Sequence, residues 1–283
     1  MCKSYDELEL VTSSQGIANS DKIASLMGIH GGHAIDSSLA TLRMFYDLGV
    51  RYLTLTPFCN TPWAEAASPK YGNLYTDVHG LSDFGEEVVK EMNRLGMIID
   101  LSHASEATAR AVLRISKAPV IFSHSAAFSV CNHPKNIPDS ILQLLKQNNG
   151  IIMLSFDVKF LACSGPSVTV SNVADHFDHI QNTIGPEHLG IAGNYDGFNI
   201  HPVGLEDVSK YPVLIAELLK RGWSEEVLKD ALRENFLRVF REVEKVRDES
   251  LSIKANEETI SPELVKHPCR QELKPPPRAT ILY

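Results

Sequence analysis

The sequence predicts an α/β fold, a TIM-like (β/α)8 barrel of which six of the eight strand-helix units are present. Three observations predict it. Apolar runs of strand length alternate strictly with stretches of helical period. The runs are apolar at nearly every position, as strands covered on both faces are, which means parallel strands with helices outside. Each run stops at a polar residue, a reactive residue or a proline, and the residues just past the strand ends of a parallel barrel share one rim. The stops are His30, Pro57, His103, His124, Asp157 and Asn194, with IIDLS before His103 and VIFS before His124.

Residues 22–29 (KIASLMGI) read as the first strand. Residues 36–49 form a helix with Asp36 or Ser37 as N-cap and Gly49 as stop, and residues 51–56 the second strand. The helix at 82–96 opens on Ser82 and closes on Gly96, ahead of the strand at 97–102. The helix at 105–117 starts from Ser105 with Glu106 in its first turn, where a carboxylate meets the positive end of the helix dipole. A strand at 119–123, a helix at 138–148, a strand at 150–156, a helix at 170–185 and a strand at 188–193 follow. Two helices, roughly 208–221 and 224–247, close a single barrel domain of residues 1–247. Residues 1–21 offer only a short LELV run and a helical turn, so the first two barrel strands are expected to be missing. Residues 248–283 are polar and proline-containing and read as a mobile tail.

With 283 residues, 43% of them hydrophobic, the chain has enough apolar side chains for one large core. A net charge of -8 and scattered Lys and Arg residues argue against nucleic acid as a partner. No apolar stretch approaches the ~20 residues that span a bilayer, and the start, MCKSYDELELVTSS, has neither the basic nor the apolar region of a secretion signal. The end, KPPPRATILY, is too short and polar for a lipid-anchor signal. The cysteines, Cys2, Cys59, Cys131, Cys163 and Cys269, lack the C-x-x-C spacing of a zinc knuckle. GIHGGH fits no nucleotide-binding fingerprint.

The segments GIHGGHAIDSSLATLR, YLTLTPFCNTPWAE, GLSDFGEEVVKEMNRLGMIIDLSHAS, APVIFSHSAA, VADHFDHI, GNYDG and GLEDVSKYPVLIAELLKRGWSEE together resemble the membrane dipeptidase family, the renal-dipeptidase type of zinc peptidase. The resemblance runs from about Cys2 to Glu244. It implies a (β/α)8 barrel of the metal-dependent hydrolase type, holding two zinc ions and hydrolysing dipeptides, leukotriene D4-type substrates among them. It also implies a secreted, lipid-anchored, disulfide-linked dimer.

Carried over position by position, the implied site is partial. His103 and His124 match two imidazole ligands of one zinc ion. His30 stands where the family has the carboxylate that bridges both metals, and an imidazole binds zinc but does not bridge two cations. It is a candidate third ligand, although drift after relaxed selection is the favoured reading. The remaining ligands, an His-x-Asp pair, belong to a strand upstream of Met1, so at most one zinc ion is expected. Pro57 replaces the histidine that polarises the substrate carbonyl, and Asn194 replaces the proton-handling aspartate; neither side chain exchanges protons near neutral pH. Lys135 replaces an arginine that grips the substrate carboxylate, keeping the charge without the planar fork, and Asp196 is retained.

Plainer readings stand beside these. Lone histidines are mostly core residues, His33 bonds locally, and His176 with His179, at i, i+3 spacing, reads as a surface face. Gly31, Gly32, Gly193 and Gly197 are turn glycines first. Without the resemblance, Lys135 and Asp196 are ordinary loop residues.

The resemblance further implies a Cys131–Cys163 disulfide, a homodimer linked through Cys269, and an unpaired Cys59; both bonds need an oxidising compartment. No Asn-x-Ser/Thr sequon occurs. Localisation stays open between a shortened form of a secreted protein and a degenerate copy. The functional expectation is a zinc dipeptidase relative with impaired turnover on dipeptide-like small molecules. The alternative is a catalytically dead relative that uses the barrel rim as a binding surface.

Overall fold

The computed structural model of the chain describes residues 2, 4–68, 75–163 and 167–265. The strands are β1 (Leu8–Leu10), β2 (Ile23–Ser25), β3 (Met27–His30), β4 (Val50–Thr54), β5 (Ile98–Asp100), β6 (Ile121–Ser125), β7 (Ile151–Ser155) and β8 (Leu189–Ala192). The helices are α1 (Ser14–Asn19), α2 (Leu39–Asp47), α3 (Asp83–Leu95), α4 (Glu106–Ile115), α5 (Asp139–Gln147), α6 (Val158–Leu161), α7 (Val170–Ile184), α8 (Tyr211–Lys220), α9 (Glu225–Lys229) and α10 (Asn235–Glu249). Strands β3 to β8 form one parallel sheet in sequence order, and β1 pairs in parallel with β2 beside it. Among the described residues the six-stranded sheet is open, with β3 and β8 as its edges. The fold is thus an incomplete α/β barrel.

Alternation along the strands divides the core. Leu53, Ile99, Phe122, Ile152 and Leu154 face the helical layer, where Val88, Val89 and Met92 of α3 and Phe177 and Ile180 of α7 are buried. Helix α3 forms because its apolar positions recur at helical spacing between a Ser82 side chain that accepts from Gly85 N at 3.2 Å and a Gly96 stop at φ +79°. On the other face, Tyr52, Ile98, Ile121, Ile151 and Met153 join Val239, Phe240 and Val243 of α10. Ile98, Ile121 and Ile151 each begin their strand, so α10 lies across the N-terminal end of the sheet and closes it with apolar side chains. The C-terminal ends carry Thr54, Asp100, Ser123, Ser125 and Ser155 instead, which leaves that rim polar.

Three expectations change. The run 22–29 is not one strand: Leu26 separates β2, which pairs with β1, from β3, which pairs with β4, so part of residues 1–21 is drawn into a small sheet of its own. The cap of α2 is Ser38, whose side chain accepts from Thr41 N at 3.2 Å, because Asp36 and Ser37 are taken up in left-handed turns at φ 46° and 53°. The tail is docked at least to Ile260, which is buried in the main core. Arg43 donates to Asn256 O at 2.8 Å and meets Glu257 at 3.1 Å. Among the described residues no helix is long and apolar enough to cross a membrane.

Candidate functional site

The strand ends gather three imidazoles. His30 ends β3, His103 lies in the turn after β5, and His124 lies within β6. Ring centroids are 4.8 Å apart for His103 and His124, 5.2 Å for His30 and His124, and 6.2 Å for His30 and His103. His103 sits at φ +66°, a left-handed conformation that costs a non-glycine residue of order 1 kcal/mol and persists only where its surroundings enforce it. Here the carbonyl oxygens of Leu101 and His103 are engaged by Ala104 N at 3.0 Å and Ala67 N at 2.8 Å. The ladder between β6 and β7 shifts register between Phe122 and Ser125, an irregularity of the kind that re-aims a side chain, at the position of His124.

His103 is 6% exposed. Its Nδ1 lies 2.8 Å from the Pro57 carbonyl oxygen and 2.9 Å from Lys135 Nζ. Nδ1 serves one contact at a time: Nδ1–H donates to Pro57 and leaves a lone pair on Nε2, or the ammonium donates to Nδ1 and the ring proton sits on Nε2; only the first presents Nε2 to a metal ion. Both keep the ring neutral. Burial, helped by the adjacent His124 and the Lys135 charge, holds its pKa down at about 3. His103 Nε2 is buried and has no hydrogen-bond partner.

His124 is 8% exposed and rests on a buried carboxylate network. Its Nδ1 is 2.7 Å from Ser123 Oγ, and Ser123 Oγ donates to Asp100 Oδ2 at 2.5 Å. Thr54 Oγ1 donates to the same oxygen at 2.5 Å, while Oδ1 accepts from Ser102 N and Ser123 N, each at 2.9 Å. Burial pushes the Asp100 carboxyl up, but His124 and the hydrogen bonds from Ser123 and Thr54 outweigh it and hold it below the usual carboxylate range. Burial also lowers His124 and His30.

The other expected residues divide. Pro57 contributes through its carbonyl oxygen, which both His103 and Lys135 approach. Lys135 is no surface residue: it is 6% exposed, and its ammonium also lies 5.4 Å from the Phe58 ring. Asn194 and Asp196 follow β8 in left-handed turns at φ 50° and 67°, on the sheet edge opposite the strand of His30, and Asp196 is exposed. Asp157 caps α6 by accepting from Lys159 N at 3.1 Å.

His176 is a correction. It is fully buried, accepting from Ala127 N at 3.1 Å through Nδ1 and donating from Nε2 to Leu161 O at 3.0 Å, and only His179 faces outward, to Asp139 at 2.8 Å. Cys131 and Cys163 form a disulfide with a Cα–Cα distance of 5.2 Å, whereas Cys2 and Cys59 are free. Cys269 lies outside the described residues. Sequence reasoning missed Thr54, Asp100, Ser123 and Phe160, whose ring centroid is 5.9 Å from that of His103. A polar residue on the inward phase of an otherwise apolar strand was the available signal for the first three.

Nitrogen donors suit zinc. A buried, unpartnered His103 Nε2 and a His124 ring anchored through Nδ1 fit two ligands of one metal ion. Among the described residues no three His, Cys, Asp or Glu side chains are placed to hold a metal together. His30 therefore adds a ring to the cluster without completing a three-ligand set. A surface groove of about 810 Å³ over α4, lined by His79, Arg110 and Arg114 among others, lies on the helical layer and holds none of these residues.

A family model described as membrane dipeptidase (peptidase family M19) matches residues 1–254. Dipeptidase 3 of Mus musculus is 58% identical over 272 residues, covering 96% of this chain and 54% of the relative. Dipeptidase 3 of Homo sapiens is 61% identical over 250 residues, covering 88% and 51%. The chain thus spans about half the length of the curated relatives it matches. Among solved structures, a metallo peptidase from Rhodobacter sphaeroides, liganded with a phosphinate mimic of the dipeptide L-Ala-D-Ala, is similar with a TM-score of 0.78 and 26% identity. That match covers 85% of this chain and 70% of that one. A probable dipeptidase, PvdM from Pseudomonas aeruginosa, shares the fold at a TM-score of 0.80 and 22% identity, covering 87% and 76%. Rim histidines, parallel sheet and matches over most of this chain agree, and the chain belongs to the membrane dipeptidase family of metallopeptidases.

Proposed function

We propose that this chain is a metal-binding dipeptidase relative with impaired hydrolysis. It holds at most one zinc ion through His103 and His124; His30, the candidate third ligand, stands beside them and would have to move to join the set. It turns dipeptides over about a thousandfold more slowly than an intact relative. The observation that carries the reading is the unpartnered, buried His103 Nε2 beside His124, in a rim where Pro57 and Asn194 occupy the positions expected of proton-handling groups. The substrate class follows the names of the relatives, Dipeptidase 3 and a metallopeptidase bound to a dipeptide mimic.

A bound zinc ion supplies a water acidified to a pKa of ~7. The protein's own part is to keep His103 neutral, which burial, His124 and the Lys135 ammonium do against the opposing pull of the Pro57 carbonyl oxygen, which instead holds the ring proton on Nδ1. Lys135 also brings a buried positive charge to the rim for a substrate carboxylate, and Asp196 is the second substrate-contacting residue in this reading. Pro57 and Asn194 move no proton, so a leaving amine has no acid at either position. Those two residues also favour the second reading, a binding protein without turnover. A homodimer through Cys269 belongs to the same proposal, and non-reducing electrophoresis against a Cys269→Ser variant tests it.

The deciding experiment is dipeptide hydrolysis with added zinc between pH 6 and 9, beside metal analysis of the dialysed protein. Turnover within tenfold of an intact relative, or two tightly held ions per chain, overturns the reading.

A further inference from the structure

Asp100 is a fully buried carboxylate with no basic residue among its hydrogen-bond partners, and neither the metal reading nor the packing of the sheet uses it directly. Its partners define what it does. The carboxylate accepts four hydrogen bonds, two from hydroxyls (Thr54 and Ser123) and two from backbone N–H groups (Ser102 and Ser123). Ser123 has one hydroxyl proton and two short contacts, 2.5 Å to Asp100 Oδ2 and 2.7 Å to His124 Nδ1. An ionised carboxylate only accepts, so the hydroxyl proton points to Asp100 and the Ser123 oxygen is left to accept from Nδ1–H of His124. That order places the ring proton on Nδ1 and the lone pair on Nε2. Ser102 Oγ accepts from His124 N at 3.0 Å and lies 3.3 Å from Ser123 Oγ, which ties backbone and ring to one network.

We propose that Asp100 is a positioning residue: acting through Ser123, it fixes His124 in the Nδ1–H tautomer and so presents the Nε2 lone pair for a metal ion. The part that concerns the metal rests on the reading of His124 as a ligand; the part that concerns the tautomer stands on the metal-free protein. A carboxylate that orients a histidine through an intervening hydroxyl reaches further than direct carboxylate–histidine contact. Such outer partners typically set metal affinity by about 10- to 100-fold.

The test uses the full chain, 15N-labelled at its 11 histidines, metal-free and at mildly alkaline pH, with a His124→Gln spectrum to assign the resonance. Two-bond 1H–15N correlations are expected to show His124 protonated on Nδ1. In Ser123→Ala and Asp100→Asn the ring is expected to move to the Nε2–H form or to a mixture, with zinc affinity, read by chelator competition, falling about 10- to 100-fold. Ser123→Thr, which keeps the hydroxyl, is expected to restore both. An Nε2–H tautomer in the unaltered chain overturns the proposal, and that measurement needs no variant to fold. An unchanged tautomer in folded Ser123→Ala does so as well. If the unaltered chain binds no zinc while His124 is protonated on Nδ1, the relay holds and the metal reading fails.

Discussion

A histidine that stays neutral inside the fold makes stability depend on pH, and His176 is such a residue. Burial holds its pKa down at about 4, although the hydrogen bond to Leu161 O raises it somewhat. In the unfolded chain it titrates near 6.5. Below that value the unfolded state binds a proton that the folded state refuses, so the contribution is complete above pH 6.5 and is lost as pH falls toward 4. The expected loss is roughly 3 kcal/mol for this one group. Denaturant titrations at pH 7 and 4.5 are expected to show that decline, with a flatter profile in His176→Gln. An equal decline in the variant refutes the assignment. His103→Ala with His124→Ala is expected to abolish stoichiometric zinc retention on dialysis, and unchanged metal content in the double variant rules the site out. The sequence placed His176 and His179 on a shared face but not on the right side of it. The stripe Val173, Phe177, Ile180 and Ile184, all buried, passes beside His176, so the signal for a core histidine was present. His103 and His124 were legible because each directly follows an apolar run in the sequence, although the strand of the second extends past its histidine to Ser125. Asp100 and Ser123 were not, because one polar residue inside an apolar run states neither its partners nor its purpose.

Helix α10 decides how the sheet is closed at its lower end. Val239, Phe240 and Val243 cover Ile98, Ile121 and Ile151 where the strands begin, so apolar side chains seal one end while the other keeps its polar rim. Phe240→Ala is expected to cost about 3–5 kcal/mol, the usual range for emptying a buried aromatic position, and a loss below 1 kcal/mol on denaturation contradicts this packing. The Cys131–Cys163 bridge closes a sequence separation of 32 residues around the loop that carries Lys135. By chain-entropy reasoning its removal is expected to cost about 3–4 kcal/mol, measured as the difference between Cys131→Ala/Cys163→Ala and the oxidised chain. An unchanged midpoint shows that the bond does not restrain the unfolded state. Strand and helix order was readable from periodicity, since four or more apolar positions in phase identify an element. The pairing of β1 with β2 was not, because three-residue strands carry no period, and an amphipathic α10 announces an apolar face without saying what it covers.

The whole molecule is governed by its open edges. A parallel strand pairs on both sides in a closed barrel, whereas here β3 and β8 end the six-stranded sheet among the described residues. Apolar side chains are exposed near both: Ile23 in β2 and Met27 at the start of β3, and Ile200 and Val203 in the segment after β8. Unpaired backbone groups and exposed apolar surface lower the free-energy gap between the native sheet and partly opened forms, which weakens the all-or-none character of unfolding. The 283-residue chain is therefore expected to show a broad, weakly cooperative thermal transition and a tendency to associate. A fusion that adds an upstream segment of roughly 90 residues from a close relative, enough for two strands and their helices, is expected to melt sharply. Calorimetry separates the outcomes by comparing the calorimetric with the van't Hoff enthalpy. A ratio of one for the chain alone means that β1, α1 and α10 already complete a cooperative unit, and that the edges of β3 and β8 carry no penalty.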